Sequence, residues 1–167
     1  AYVVSEDSDE VFVLDWASMT EIGRMSTTLH AGQVNANHMA QLSSDGRLLF
    51  VVATHHDAIV VVDTETMENR AEISVGAHPS HVGSCGGCNL EVGYDLWVVN
   101  EDDDSISVID MAKLEVTDTI VDPTLAVPHS VRFADGRAYV ANIAGNQISV
   151  FDTQSHQRVD VLLAPNI

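Results

Sequence analysis

A phrase that returns four times constrains this chain more than any single residue does. Gly136 to Thr153 reads GRAYVANIAGNQISVFDT: a strand over Ala138 to Asn142, a short polar loop, then a strand over Gln147 to Asp152 whose last residue closes it. The same pattern occurs as LLFVVATHHDAIVVVDT (Leu48 to Thr64), as LWVVNEDDDSISVIDM (Leu96 to Met111) and, from Ala1, as AYVVSEDSDEVFVLDW. The closing aspartates Asp15, Asp63, Asp110 and Asp152 are 48, 47 and 42 residues apart. Short β-branched blocks at that period predict an all-β fold, a β-propeller of four-stranded antiparallel blades. An α-helical repeat does not fit, because the apolar residues run in short blocks bounded by Asp, Asn and Gly.

With strands lettered A to D from the propeller axis outward, the chain enters at B (Tyr2 to Val4), then C (Val11 to Asp15) and D (Glu21 to Met25). The second unit places A at His38 to Ser43, B at Leu48 to Ala53, C at Ala58 to Asp63 and D at Arg70 to Val75. The third runs A from His81, B at Leu96 to Asn100, C at Ser105 to Asp110 and D at Glu115 to Val121. The last has A at His129 to Phe133 and D at Arg158 to Leu163. Asp45-Gly46 and Asp135-Gly136 suit tight A–B hairpins, and an Asp after each C strand suits a turn in which the side chain bonds its own backbone.

The expected units are approximately 1–37, 38–80, 81–128 and 129–167, a single propeller domain or a fragment of one. About four blades are present, the first lacking its inner strand, which points to part of a seven- or eight-bladed propeller. Remaining blades, or a second copy, are expected to close the ring and cover the exposed edges.

These phrases resemble the YVTN family of β-propeller repeats. RAYVANIAGNQISVFDT and DLWVVNEDDDSISVID match its strand–loop–strand core, ISVGAHPSHV its D-to-A connection, and SSDGRLLFVV and FADGRAYVAN its A-to-B turn. The resemblance implies a secreted or periplasmic module that binds a protein, glycan or small-molecule ligand at its rim or central channel. VGAHPSHV followed by DDDSISVID is also similar to repeats in the haem-binding propeller of dissimilatory nitrite reductase. PHSVRFADGRAYVANIAGNQISVFD is similar to repeats of nitrous oxide reductase, whose propeller holds copper through histidines. A redox protein with copper or haem-type iron is therefore the alternative expectation, and a lactonase-like enzyme a weaker one.

Composition removes several partners. Twenty-five acids against seven bases give a formal charge of −18, with Lys113 the only lysine. Such a surface repels nucleic-acid phosphates and anionic lipid. No apolar run approaches the ~20 residues of a membrane-spanning helix. Asp exceeding Glu with almost no Lys is similar to proteins of salty, halophilic habitats, and ordinary secreted acidity gives the same balance. An extracellular or periplasmic address is the expectation.

His38, His81 and His129 all stand at the start of an A strand, in ANHMAQL, PSHVGSC and VPHSVRF. Successive blades would bring them to one pore mouth as ligands for a cofactor or for copper, zinc or iron. B-to-C loops open on the same rim and add His55, His56 and Asp57, Glu6 to Asp9, and Glu101 to Asp104, so that Asp102 and Asp104 join the metal candidates and calcium becomes an option. The plainer reading keeps the histidines bonded to backbone carbonyls and the acidic loops solvated. Cys85 and Cys88, in SCGGCN, are candidates for a disulfide, for free thiols or for a metal or redox role. Asn89 follows the second cysteine where covalent haem attachment needs a histidine. Phosphate-binding, nucleophile-elbow and zinc-protease signatures are missing from the sequence, so catalytic residues are not assigned.

Overall fold

A computed structural model describes residues 1–84 and 95–163. The proposed Cys85–Cys88 pair lies outside the described residues. Among the described residues fifteen strands form four antiparallel sheets, and the contacts divide the chain into two compact units, Ala1–Ser74 and Val75–Ile167.

The first unit holds a three-stranded sheet, β1 (Tyr2–Ser5), β2 (Glu10–Leu14) and β3 (Glu21–Ser26). It packs on a four-stranded sheet of β4 (Asn37–Leu42), β5 (Leu48–Ala53), β6 (Ala58–Asp63) and β7 (Glu68–Ser74). The second unit holds β8 (Pro79–Ser84), β9 (Asp95–Asn100), β10 (Ser105–Asp110) and β11 (Glu115–Val121), packed on β12 (Pro128–Ala134), β13 (Arg137–Asn142), β14 (Gln147–Asp152) and β15 (Arg158–Leu163). Within each sheet the strands follow chain order, each paired antiparallel to the next, as the repeat demands.

The weak alternation in the sequence has a simple cause. Leu49 to Ala53 of β5 and Ala58 to Val62 of β6 are buried at every position, as are Leu96 to Asn100 of β9. A strand covered on both faces needs apolar or satisfied side chains on both. Between the sheets of the first unit lie Val11, Val13, Met25, Leu49, Val51, Val60 and Val62. Between those of the second, Trp97 is the hub, with Val99, Ile106, Val108, Val131, Val140 and Phe151 around it. The fourth strands are mostly exposed, β15 almost throughout.

Each closing aspartate builds the same turn. The Oδ1 atom of Asp63 accepts the N–H groups of Glu65 and Thr66 at 2.9 and 3.0 Å, Asp110 those of Ala112 and Lys113, and Asp152 those of Gln154 and Ser155. Four residues on, Met19, Met67, Leu114 and His156 adopt positive φ, and each returns its N–H to the aspartate carbonyl. Gly136, at φ 72° after Asp135 at φ 50°, makes the expected A–B hairpin.

These bonds fix the response to acid. The N–H groups of Thr66 and Glu65 hold the Asp63 carboxyl below its usual range, and the Ser155 N–H and hydroxyl do the same for Asp152. Partial burial pushes Asp110 up, but the Lys113 N–H and ammonium outweigh it and the net shift is down. A depressed folded value means that the stabilisation is complete above the unfolded aspartate pKa of about 3.9 and is lost as pH falls through the lower folded values. The triple variant Asp63→Asn, Asp110→Asn, Asp152→Asn keeps an acceptor oxygen in each turn and removes the titration. Thermal melts between pH 2 and 5 should therefore show a flatter pH dependence than wild type; parallel curves would refute the assignment.

Candidate functional site

In the second unit the start of strand β8, the end of β9 and the start of β12 converge. The His81 and His129 rings lie with centroids 4.6 Å apart and planes tilted by 43°. His129 Nδ1 is 2.5 Å from Glu101 Oε1. The hydroxyl oxygen of Ser80, a buried residue, lies 3.1 Å from the His129 carbonyl oxygen. Burial pushes the Glu101 carboxyl up, but hydrogen bonds from His129 and Ser80 and the nearby imidazoles of His129 and His78 outweigh it, so that it sits below its usual range. Glu101 therefore accepts from His129 Nδ1–H, which fixes the orientation of the ring. His78 stands 3.9 Å from Asp102 across the same opening.

Local backbone geometry explains how these side chains arrive. Each A strand opens with a bulge: β4 between Asn37 and Ala40, β8 between Pro79 and Val82, β12 between Pro128 and Ser130. The chain before it is tied to the end of the B strand, as in Glu101 N–H to His78 O at 3.0 Å and Ile143 N–H to Val127 O at 2.9 Å. Bulges re-aim side chains at strand ends, which is why they recur beside functional openings.

The register corrects one expectation. Ala40 pairs with Val51, Val82 with Val98 and Val131 with Val140, so these residues are equivalent. His38 and His129 lie two residues before them, and His81 only one. Ser80, not His81, is the counterpart of His129. The three histidines are thus not one repeated position. His38 is exposed at the start of β4, in the first unit.

The acidic loops have definite tasks. Asp9 is buried and its Oδ1 accepts the Asn35 N–H at 2.7 Å, tying the first sheet to the connection that enters the second. Asp104 does the same between the third sheet and the fourth, accepting the Val127 N–H at 2.7 Å. Asp103 accepts the Ala77 N–H at 2.6 Å. Asp102, with its side chain 72% exposed, remains at the surface. Asp9, Asp57 and Asp104 adopt positive φ just before β2, β6 and β10, where an Asp tolerates the left-handed region.

His55 and His56 sit in a single 3-10 turn, Thr54–His56, that Asp57 ends. His55 is exposed. Among the described residues no group of three or more His, Cys, Asp and Glu side chains is gathered as a metal site. His156, which the sequence does not single out, is packed edge-on to Trp97 at 5.3 Å and bonds Asp118 Oδ2 at 2.7 Å. The signal that would have found it is positional: it occupies the turn slot of Met19, Met67 and Leu114.

No protein-family model and no curated protein matches the sequence. Solved structures do resemble it. Hydrazine synthase of Kuenenia stuttgartiensis superposes with a TM-score of 0.80 at 19% identity, over 97% of this chain and 45% of that one. Dihydro-heme d1 dehydrogenase NirN, in complex with DHE, gives 0.69 at 17% identity over 93% of this chain and 33% of that one. Virginiamycin B lyase from Staphylococcus aureus gives 0.77 at 14% identity over 97% and 51%. The chain thus spans about half the length of these proteins or less. The fold is a β-propeller fold, built from antiparallel blades. Proteins with such different names share it, so the fold by itself does not select an activity.

Proposed function

We propose that this chain is a YVTN-type propeller module, secreted or periplasmic, that binds a partner over Ser80, His81, Glu101 and His129. The observation that carries this is the paired imidazoles, 4.6 Å apart, with one ring held by a carboxylate. Such a surface offers aromatic faces and negative charge within one opening. It suits a partner that presents hydrogen-bond donors or positive charge: a basic protein segment, a glycan or a small molecule. The formal charge of −18 supports the same choice by attracting cations and repelling nucleic acid.

One observation favours a second reading, a redox protein. A histidine oriented by a carboxylate is the usual arrangement of a metal-ligating imidazole, and two of the similar structures are named as a hydrazine synthase and a dihydro-heme d1 dehydrogenase. Metal analysis of protein purified from its native source separates the two. Metal-free, folded protein supports the binding module. One equivalent of copper or iron, lost in the variant His81→Ala, His129→Ala, supports the redox reading and removes the first.

A further inference from the structure

We propose a second, independent site in the first unit: a transition-metal site formed by His30 and His56. His30 lies on the connection between β3 and β4, and His56 ends the 3-10 turn after β5. Their ring centroids are 4.9 Å apart with planes at 75°. With metal–nitrogen bonds of about 2.0–2.1 Å, two imidazoles on one ion hold their ring centres roughly 4.5–5.2 Å apart, for ligand angles from square to tetrahedral. The observed spacing falls within that range. The Nε2 atom of His56 is buried and has no hydrogen-bond partner among the described residues. A buried ring nitrogen beside a second imidazole is the donor a metal ion would satisfy.

The two loops are held in place by bonds that do not involve either imidazole. The Asn35 carbonyl accepts the His55 N–H at 3.0 Å, and the Asn35 side-chain amide donates to the Thr27 carbonyl at 2.5 Å. Asp9 Oδ1 fixes the Asn35 N–H from the neighbouring sheet. The site is therefore preorganised, with water or a bound ligand supplying the remaining coordination positions. Two neutral imidazoles favour copper(II) over nickel and zinc, following the general affinity order for nitrogen ligands. The acidic surface raises the local concentration of any cation.

The test is a copper(II) titration of the full chain in a weakly coordinating buffer, followed by calorimetry and by electron paramagnetic resonance. Wild type should bind one equivalent that His30→Ala and His56→Ala each weaken at least tenfold, with nitrogen hyperfine structure simplified in both. The variant His81→Ala, His129→Ala should retain that equivalent, which separates this site from the surface of the second unit. Identical titrations for wild type and His30→Ala would overturn the proposal. Because His30 is exposed, that variant decides the matter even if His56→Ala fails to fold.

Discussion

Replacing Trp97 with alanine should destabilise the protein by about 3–5 kcal/mol, the usual cost of deleting a large aromatic side chain from a packed core. Trp97 has no exposed surface. Its indole meets Phe133 edge-on at 5.8 Å, Phe151 at 6.4 Å and His156 at 5.3 Å, so it joins the third and fourth sheets through one side chain. The substitution removes the transfer free energy of the indole and leaves a cavity bounded by two sheets, neither of which can close it without giving up ladder bonds. Trp97→Phe retains an aromatic body and should lose less than half as much. Urea unfolding followed by far-UV circular dichroism measures both. A Trp97→Ala midpoint within experimental error of wild type would show that this core is not what holds the second unit together.

The second large effect is expected at Asn142. Its Oδ1 accepts the Ala126 N–H at 3.0 Å, while its Nδ2 faces the Val140 and Gln147 carbonyls at 3.3 Å and the Ser149 hydroxyl at 3.1 Å. One buried amide thereby joins the incoming connection to two strands of the same sheet. Asn142→Ala leaves those groups without their partner away from water, which costs ~1–3 kcal/mol. At the equivalent position Asn100 also donates to two hydroxyls, of Ser105 and Ser107 at 3.0 Å, but its Oδ1 has no hydrogen-bond partner among the described residues. Asn100→Ala should therefore cost less than Asn142→Ala. Thermal melts of the two variants rank them directly, at roughly 2–4 °C per kcal/mol for a chain of this size. The reverse order would disprove the role assigned to the Asn142 carbonyl.

The fold was legible because its signal is repeated. Four copies of strand, loop, strand and aspartate average out the noise of any one segment, and the expected strands fall close to those observed: Arg70 to Val75 became Glu68–Ser74, and His129 to Phe133 became Pro128–Ala134. Turn chemistry at Asp63, Asp110 and Asp152 was equally readable, since it is local and needs only the aspartate and the next three residues.

The candidate site was legible only in part. His81 and His129 do meet, yet their shared place at the start of an A strand hides a transposition: Pro79-Ser80-His81-Val82 against Pro128-His129-Ser130-Val131. Aligned on proline and valine, the two phrases already show the one-residue offset, and in a strand an offset of one matters because side chains alternate. The acidic loops were taken as a single population, whereas Asp9, Asp103 and Asp104 bind backbone amides and Asp102 faces solvent. That separation depends on where each carboxylate points, which composition does not encode. The approach of His30 to His56 was out of reach for the same reason. Twenty-six positions and two turns separate them, and no periodicity relates a connection to a 3-10 turn.

The aspartate turns carry a last consequence, for the order in which the molecule assembles. The bonds that each aspartate itself makes close within five residues. Closing so short a loop costs little entropy and takes well under a microsecond, long before sheet-to-sheet contacts can be found. The hairpins of third and fourth strands are thus positioned to form first, one after another as the polypeptide leaves the ribosome. Docking of sheets around residues such as Trp97 then selects among preformed pieces, and the slow search typical of all-β proteins is shortened by the same carboxylates that end the strands.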